Sequence, residues 1–134
     1  MSKSPITCHV LDSSLGKPAA GIRVRLQEYH LIAEAAAALE PLVEGETDSD
    51  GRCMQLWPKA TDNQTKEELA RLKAGTVYKI FFKTKEYFES TGRKSLYPWV
   101  ETCIQITFEV EDPDQHYHIP LLISPYSYTT YRGS

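Results

Sequence analysis

Gln115–Ser134 reads QHYHIPLLISPYSYTTYRGS, and it carries the period of a β-hairpin. His116 and His118 stand two residues apart. In an extended strand that spacing sets both imidazoles on one face and Tyr117 and Ile119 on the other. Ile119, Leu121, Leu122 and Ile123 supply the buried part. Pro120 offers no N–H, which predicts an edge strand or a strand end. Ser124-Pro125 turns the chain, and Tyr126 to Tyr131 reads as the returning strand. The end, Tyr131-Arg132-Gly133-Ser134, would bring a guanidinium, a hydroxyl and a carboxylate to one place if it is tied down, since untethered termini fray.

The same alternation recurs upstream. Ile104, Ile106, Phe108 and Val110 alternate with Gln105, Thr107 and Glu109, and Asp112-Pro113-Asp114 turns this strand into the final hairpin. Thr76 to Lys83 is a strand with Tyr78, Ile80 and Phe82 on one face. Ile6 to Leu11 sets Ile6, Cys8 and Val10 on one face and Thr7, His9 and Leu11 on the other. Asp12 to Gly21 is a turn region broken by Gly16, Pro18 and Gly21. Ile22 to about Tyr29 points Ile22, Val24 and Leu26 inward and Arg23, Arg25 and Gln27 outward.

Other stretches are less regular. Ala33 to Leu39 is alanine-rich and taken alone favours helix. It is short and Pro41 follows, so it reads as an extension or a local turn of helix at a strand end. Leu42 to Thr47 is a weak strand, Asp48-Ser49-Asp50-Gly51 a tight turn, and Cys53 to Trp57 the start of a return strand. Thr65 to Ala74 reads as a short helix with a Thr65/Glu68 capping box, an apolar stripe of Leu69 and Leu72, and a stop at Gly75. A second short helix, Thr84 to Thr91, is capped by Thr84 and stopped by Gly92. Tyr97-Pro98-Trp99 is a rigid aromatic entry to the strand after it. Seven or eight short strands with regular turns and one or two short helices predict a mainly all-β fold, an antiparallel β-sandwich. Residues 1–134 read as one domain without internal repeats.

Composition excludes several classes. The net charge of -3 and the lack of a Lys/Arg cluster give no push toward nucleic acid. No apolar run approaches the ~20 residues of a membrane span. Met1-Ser2-Lys3-Ser4-Pro5 lacks the apolar region of a secretory signal. Cys8, Cys53 and Cys103 are odd in number and far apart, which fits reduced thiols inside a cell better than a disulfide framework. An intracellular protein, not a secreted one, is expected, and the peroxisomal ending Ser-Lys-Leu is missing. Arg23-Val24 and His30-Leu31 loosely match another peroxisomal address, but inside a core strand the match reads as chance.

Four groups could carry chemistry. His9 lies off the apolar face of its strand, as a surface histidine or a functional one. Arg52 follows the Asp50-Gly51 turn, either solvated or aimed at a ligand. A guanidinium can grip a planar heterocycle with two parallel hydrogen bonds, or stabilise an oxyanion. His116 and His118 could bind zinc if His9 supplied a third ligand, but no zinc motif surrounds them. Ser134 has no nucleophile elbow around it. Cys8 and Cys103 read as structural, and Cys53, beside Arg52, is open to either reading.

Three blocks together resemble the transthyretin-related proteins, and within them the 5-hydroxyisourate hydrolases of purine breakdown. They are Ile6-Thr7-Cys8-His9-Val10-Leu11-Asp12 with Gly16-Lys17-Pro18-Ala19, Asp50-Gly51-Arg52, and His116-Tyr117-His118-Ile119-Pro120 with Tyr131-Arg132-Gly133-Ser134. The resemblance covers nearly the whole chain. Tyr29 to Leu42 and Thr61 to Lys73 look longer than the family's usual loops. It implies a prealbumin-like sandwich of two four-stranded sheets, with a short helix after Thr76 to Lys83. It implies catalytic roles for His9, Arg52 and His118, a supporting or surface role for His116, and substrate contacts from Tyr131, Arg132, Gly133 and Ser134. It further implies hydrolysis of 5-hydroxyisourate without metal or cofactor, in a homotetramer whose sites lie in a central channel. The other branch of the family, small-ligand carriers of the transthyretin type, shares the fold but not the terminal tetrapeptide.

Overall fold

A computed structural model describes residues 4–33, 36–57, 72–93 and 104–133. Most of the predicted helix at Thr65 to Ala74 and of the Thr61 to Lys73 loop, the Tyr97-Pro98-Trp99 entry, Cys103 and Ser134 lie outside the described residues; Leu72 to Ala74, the described end of that helix, are not helical. Alternating apolar residues along the chain give nine strands and one short helix among those described. They are β1 (Ile6–Asp12), β2 (Lys17–Pro18), β3 (Arg23–Ala33), β4 (Ala36–Glu46), β5 (Arg52–Cys53), β6 (Val77–Phe82), α1 (Thr84–Ser90), β7 (Ile104–Glu109), β8 (Tyr117–Ser124) and β9 (Ser127–Thr130).

The strands form two sheets. One runs β4-β3-β6-β7 and is antiparallel throughout. The other runs β2-β1-β8-β9, with β5 also paired to β1. It holds five strands, not the four that the resemblance implies, because two short strands share one edge of β1: β5 opposite Cys8 and His9, and β2 opposite Leu11 and Asp12. One pair, β1 with β8, is parallel, with Thr7 opposite His118 and His9 opposite Pro120. The inward residues of both sheets close the core: Ile6, Cys8, Val10, Leu121 and Ile123 meet Val24, Leu26, Ile80 and Phe82. At one end an aromatic row runs from Trp57 through Tyr78 and Phe108 to Tyr117, with ring centroids 5.9, 5.9 and 6.1 Å apart. The Tyr117 hydroxyl accepts from the backbone N–H groups of Glu111 and Asp112, pinning the turn that enters β8.

Several local expectations change. The alanine-rich run is strand: Ala36 to Leu39 pairs with Tyr29 to Ala33 in a long hairpin, so the extra length at Tyr29 to Leu42 extends β3 and β4. The neighbouring ladder offers each backbone group a partner, and that tertiary pairing overrides the helix propensity of alanine. Gln27 keeps the outward alternation of β3, in unbroken register with β6, yet is buried there. Beyond Cys53 no return strand continues to Trp57. Thr84 does not cap α1: Lys83 holds the cap position without a side-chain bond, and Thr84 is the first helical residue and buried. Gly92, with φ +74°, does close the helix, and Arg93 N–H donates to the Phe88 carbonyl.

Pro120 lies in a central strand rather than at an edge. Its missing donor faces β9, where the ladder is interrupted between Thr130 and the isolated bridge of His118 with Gly133. The Pro120 carbonyl accepts there from the Thr130 hydroxyl at 2.7 Å.

Candidate active site

The outward face of the five-stranded sheet carries the polar residues. Period-two alternation sends Thr7 and His9 out from β1 and His118 out from β8, and parallel register sets the strands side by side. Arg52 comes from β5, directly across from His9. Its position depends on the turn before it. Asp48 accepts through Oδ1 from the N–H groups of Asp50 (2.8 Å) and Arg52 (3.0 Å). Those bonds, the Arg52 one foremost, hold the Asp48 carboxyl below the usual carboxylate range. Gly51 has φ +75°, and a Cβ there would lie 2.3 Å from the Val10 carbonyl oxygen, so only glycine fits.

A hollow of about 310 Å³ is walled by His9, Arg52, His118, Tyr131 and Gly133, with Pro120 and Leu122 as its apolar part. The His9 and His118 rings are 6.4 Å apart, centre to centre. His9 Nε2 is 3.0 Å from the Asp50 carbonyl oxygen. A carbonyl only accepts, so this nitrogen carries a proton and the lone pair of neutral His9 sits on Nδ1. His118 is held differently. Its Nδ1 is 2.8 Å from the Thr7 hydroxyl, and the same hydroxyl is 2.8 Å from His116 Nε2.

Of the terminal tetrapeptide, Tyr131 and Gly133 face the hollow and Arg132 does not. Alternation turns Arg132 to the other side, over the Tyr117 ring at 5.0 Å, where it donates to the Gln115 side chain. It lines a separate apolar groove of about 380 Å³ at the sandwich edge, with Ile106, Phe108 and Tyr117. Gly133 donates to the His118 carbonyl at 3.1 Å, and a Cβ on it would meet the His118 ring at 2.7 Å. The terminal segment therefore packs flat against the histidine it accompanies. Cys53 points away from Arg52 into the core beside Cys8. The Cys8 thiol donates to Cys53, which draws Cys53 down, while that bond and burial push Cys8 up. No group of three or more His, Cys, Asp or Glu among the described residues could hold a metal ion.

Two residues were missed by sequence reasoning. Thr7 was placed only on the outward face; its link to both histidines follows from a pairing 111 residues apart in sequence. Asp12, assigned to a turn, ends β1 with a buried carboxylate. Arg93 (2.5 Å), Ser14 and the Tyr87 hydroxyl (2.8 Å) all donate to it.

A two-sheet sandwich with a histidine- and arginine-walled hollow on an outer face defines a transthyretin-like protein that carries acid–base groups. The chain belongs to the HIUase/Transthyretin family, whose model matches residues 6–133. It is 44% identical over 131 residues to the 5-hydroxyisourate hydrolase of Mus musculus, covering 98% of this chain and 96% of that one. Its structure is similar to that of Klebsiella pneumoniae 5-hydroxyisourate hydrolase, with TM-score 0.69, 30% identity and full coverage of both chains. Transthyretin from Sparus aurata shares the fold at TM-score 0.72 and 24% identity, covering 97% of each chain. No helix among the described residues is long and apolar enough to cross a membrane.

Proposed function

We propose that this chain hydrolyses 5-hydroxyisourate, opening a ring C–N bond to give 2-oxo-4-hydroxy-4-carboxy-5-ureidoimidazoline. The observation that carries the reading is the meeting of His9, Arg52 and His118, from three separate strands, in one hollow. The names of the relatives that the chain matches over nearly its full length support it. The substrate is an electron-poor heterocycle, and a positioned imidazole suffices to activate water against it. His118 takes a proton from water through Nε2, the nitrogen on the side of its ring away from Thr7. The water oxygen attacks the ring carbonyl. Arg52 donates to the oxyanion that forms there. The C–N bond breaks, and the leaving nitrogen takes a proton from the imidazole. His9, with Nε2 donating to Asp50 O, orients the substrate from the opposite wall. Tyr131 and Gly133 close one side.

The hollow opens outward from one sheet, so a second copy of the chain would enclose it. A homotetramer with the outer faces around a shared channel is the assembly this reading takes, in cytosol or peroxisome. The test is ring opening in oxygen-18 water, with the product identified by mass and carbon-13 spectra. One heavy oxygen in the new carboxylate, formed faster with protein than without, is the expected result. Product lacking the label, or no acceleration, would refute the proposal.

A further inference from the structure

We propose that Thr7 is a positioning residue that couples His116 to His118 and sets the tautomer of His118. The inference deepens the hydrolase reading, and rests on it only for the work done at His118 Nε2. Parallel register places Thr7 opposite His118. The Thr7 side chain is fully buried, with Oγ1 2.8 Å from both His118 Nδ1 and His116 Nε2. The two rings lie nearly parallel, at 18° and 6.5 Å between centres.

A threonine hydroxyl has one hydrogen to give and lone pairs to accept with. Between two ring nitrogens it donates to one and accepts from the other. With neutral rings only two arrangements satisfy both contacts. In the first, His118 Nδ1–H donates to Thr7 and Thr7 donates to His116 Nε2, leaving a lone pair on His118 Nε2. In the second, every donor is reversed and His118 Nε2 carries the proton. The first is the base form of His118; the second is its acid form.

Catalysis needs both, in that order. When His118 Nε2 takes the proton of the attacking water, the Nδ1 proton passes to Thr7 Oγ1, and the Thr7 proton passes to His116 Nε2. His118 is then neutral again, as its acid tautomer, and the positive charge rests on His116. That ring is half-exposed at the start of β8, where water solvates the charge better than it would inside the hollow. When His118 Nε2 protonates the leaving nitrogen, the same protons return along the same path. His116 thereby has a part in the reaction without touching substrate. His9 cannot replace this arrangement, because its Nε2 donates to a backbone carbonyl.

The test compares Thr7→Val, which keeps the shape and removes the hydroxyl, with Thr7→Ser, which keeps the hydroxyl. Val should lower kcat by about tenfold or more with KM little changed, and Ser should restore most of it. Equal losses in both variants, or no loss in Val, would overturn the relay. Nitrogen-15 spectra of the imidazoles supply a readout independent of turnover. His118 in the unsubstituted protein should show a protonated Nδ1, and in Thr7→Val it should drift toward the mixture of a solvated imidazole. An unchanged spectrum would overturn the proposal. Should Thr7→Val not fold, His116→Ala cuts the far end: lowered kcat supports the relay and unaltered kcat overturns it. An unsubstituted protein with the expected spectrum but no action on 5-hydroxyisourate would remove the hydrolase reading and leave the coupling standing.

Discussion

Arg52 is the residue whose removal should be felt most cleanly. It is exposed, outside the core, and its backbone is held by the Asp48 turn rather than by its own side chain. Arg52→Ala should therefore fold normally and lose about 10²–10³ in kcat, the usual effect of removing one oxyanion donor. Steady-state kinetics beside a melting curve would check it. Gly133 makes the opposite kind of prediction. It touches no substrate atom through a side chain, yet a methyl group there has no room against the His118 ring. Gly133→Ala should push the terminal segment off β8 and reduce activity about tenfold or more through misplacement, as small displacements of catalytic groups do. A crystal structure of the variant would show the displacement. The meeting of His9, Arg52 and His118 in one hollow was foreshadowed only by the family blocks that hold them; taken singly, His9 and Arg52 read equally as surface residues. Thr7 was not, since nothing local announces that its partner lies on β8. The turning away of Arg132 could have been read from simple alternation with Tyr131 and Gly133.

Elements depend on a few contacts that no propensity scale contains. β5 has two residues, and its place against β1 rests on the turn at Asp48 to Gly51. Gly51→Ala combines a disfavoured φ with a clash against the Val10 carbonyl, so it should cost more than ~1 kcal/mol and detach Arg52 from His9. Denaturant titration would measure the first effect and loss of activity the second. At the other end of β1, burial opposes ionisation of Asp12. Hydrogen bonds from Arg93, Ser14 and Tyr87 outweigh it and hold the carboxyl at about 2. Its folded value is depressed below that of an unfolded aspartate, roughly 3.9. The stabilisation is complete above the unfolded value and is lost as pH falls through the folded one. Unfolding free energy should then drop by on the order of 2 kcal/mol across that acid window, and Asp12→Asn should flatten the drop. The strands with clean period-two alternation were all legible. The alanine-rich arm of β4, the burial of Gln27 and the central place of Pro120 were not. The first and the last are decided by what a neighbouring strand offers: a ladder, or a gap where no donor is needed.

On the scale of the molecule, the sandwich hides one face of each sheet and leaves the hollow of His9, Arg52 and His118 on the outside of the five-stranded one. That division explains how the family can keep one core and differ in what it does. The core residues follow from apolar periodicity alone, whereas the outer face of β1, β5 and β8 is free to carry a carrier's surface or a hydrolase's imidazoles. An enclosed site needs a neighbour, so sedimentation should find a tetramer, and dilution to monomers should abolish activity while leaving the β signal in circular dichroism. The most direct measurement is the ultraviolet decay of 5-hydroxyisourate, generated in situ from urate by urate oxidase, with and without the pure protein. The expected result is a decay accelerated by the unsubstituted chain and returned close to the uncatalysed rate by Arg52→Ala and by His118→Ala. Decay at the uncatalysed rate with the folded, assembled, unsubstituted protein would contradict it.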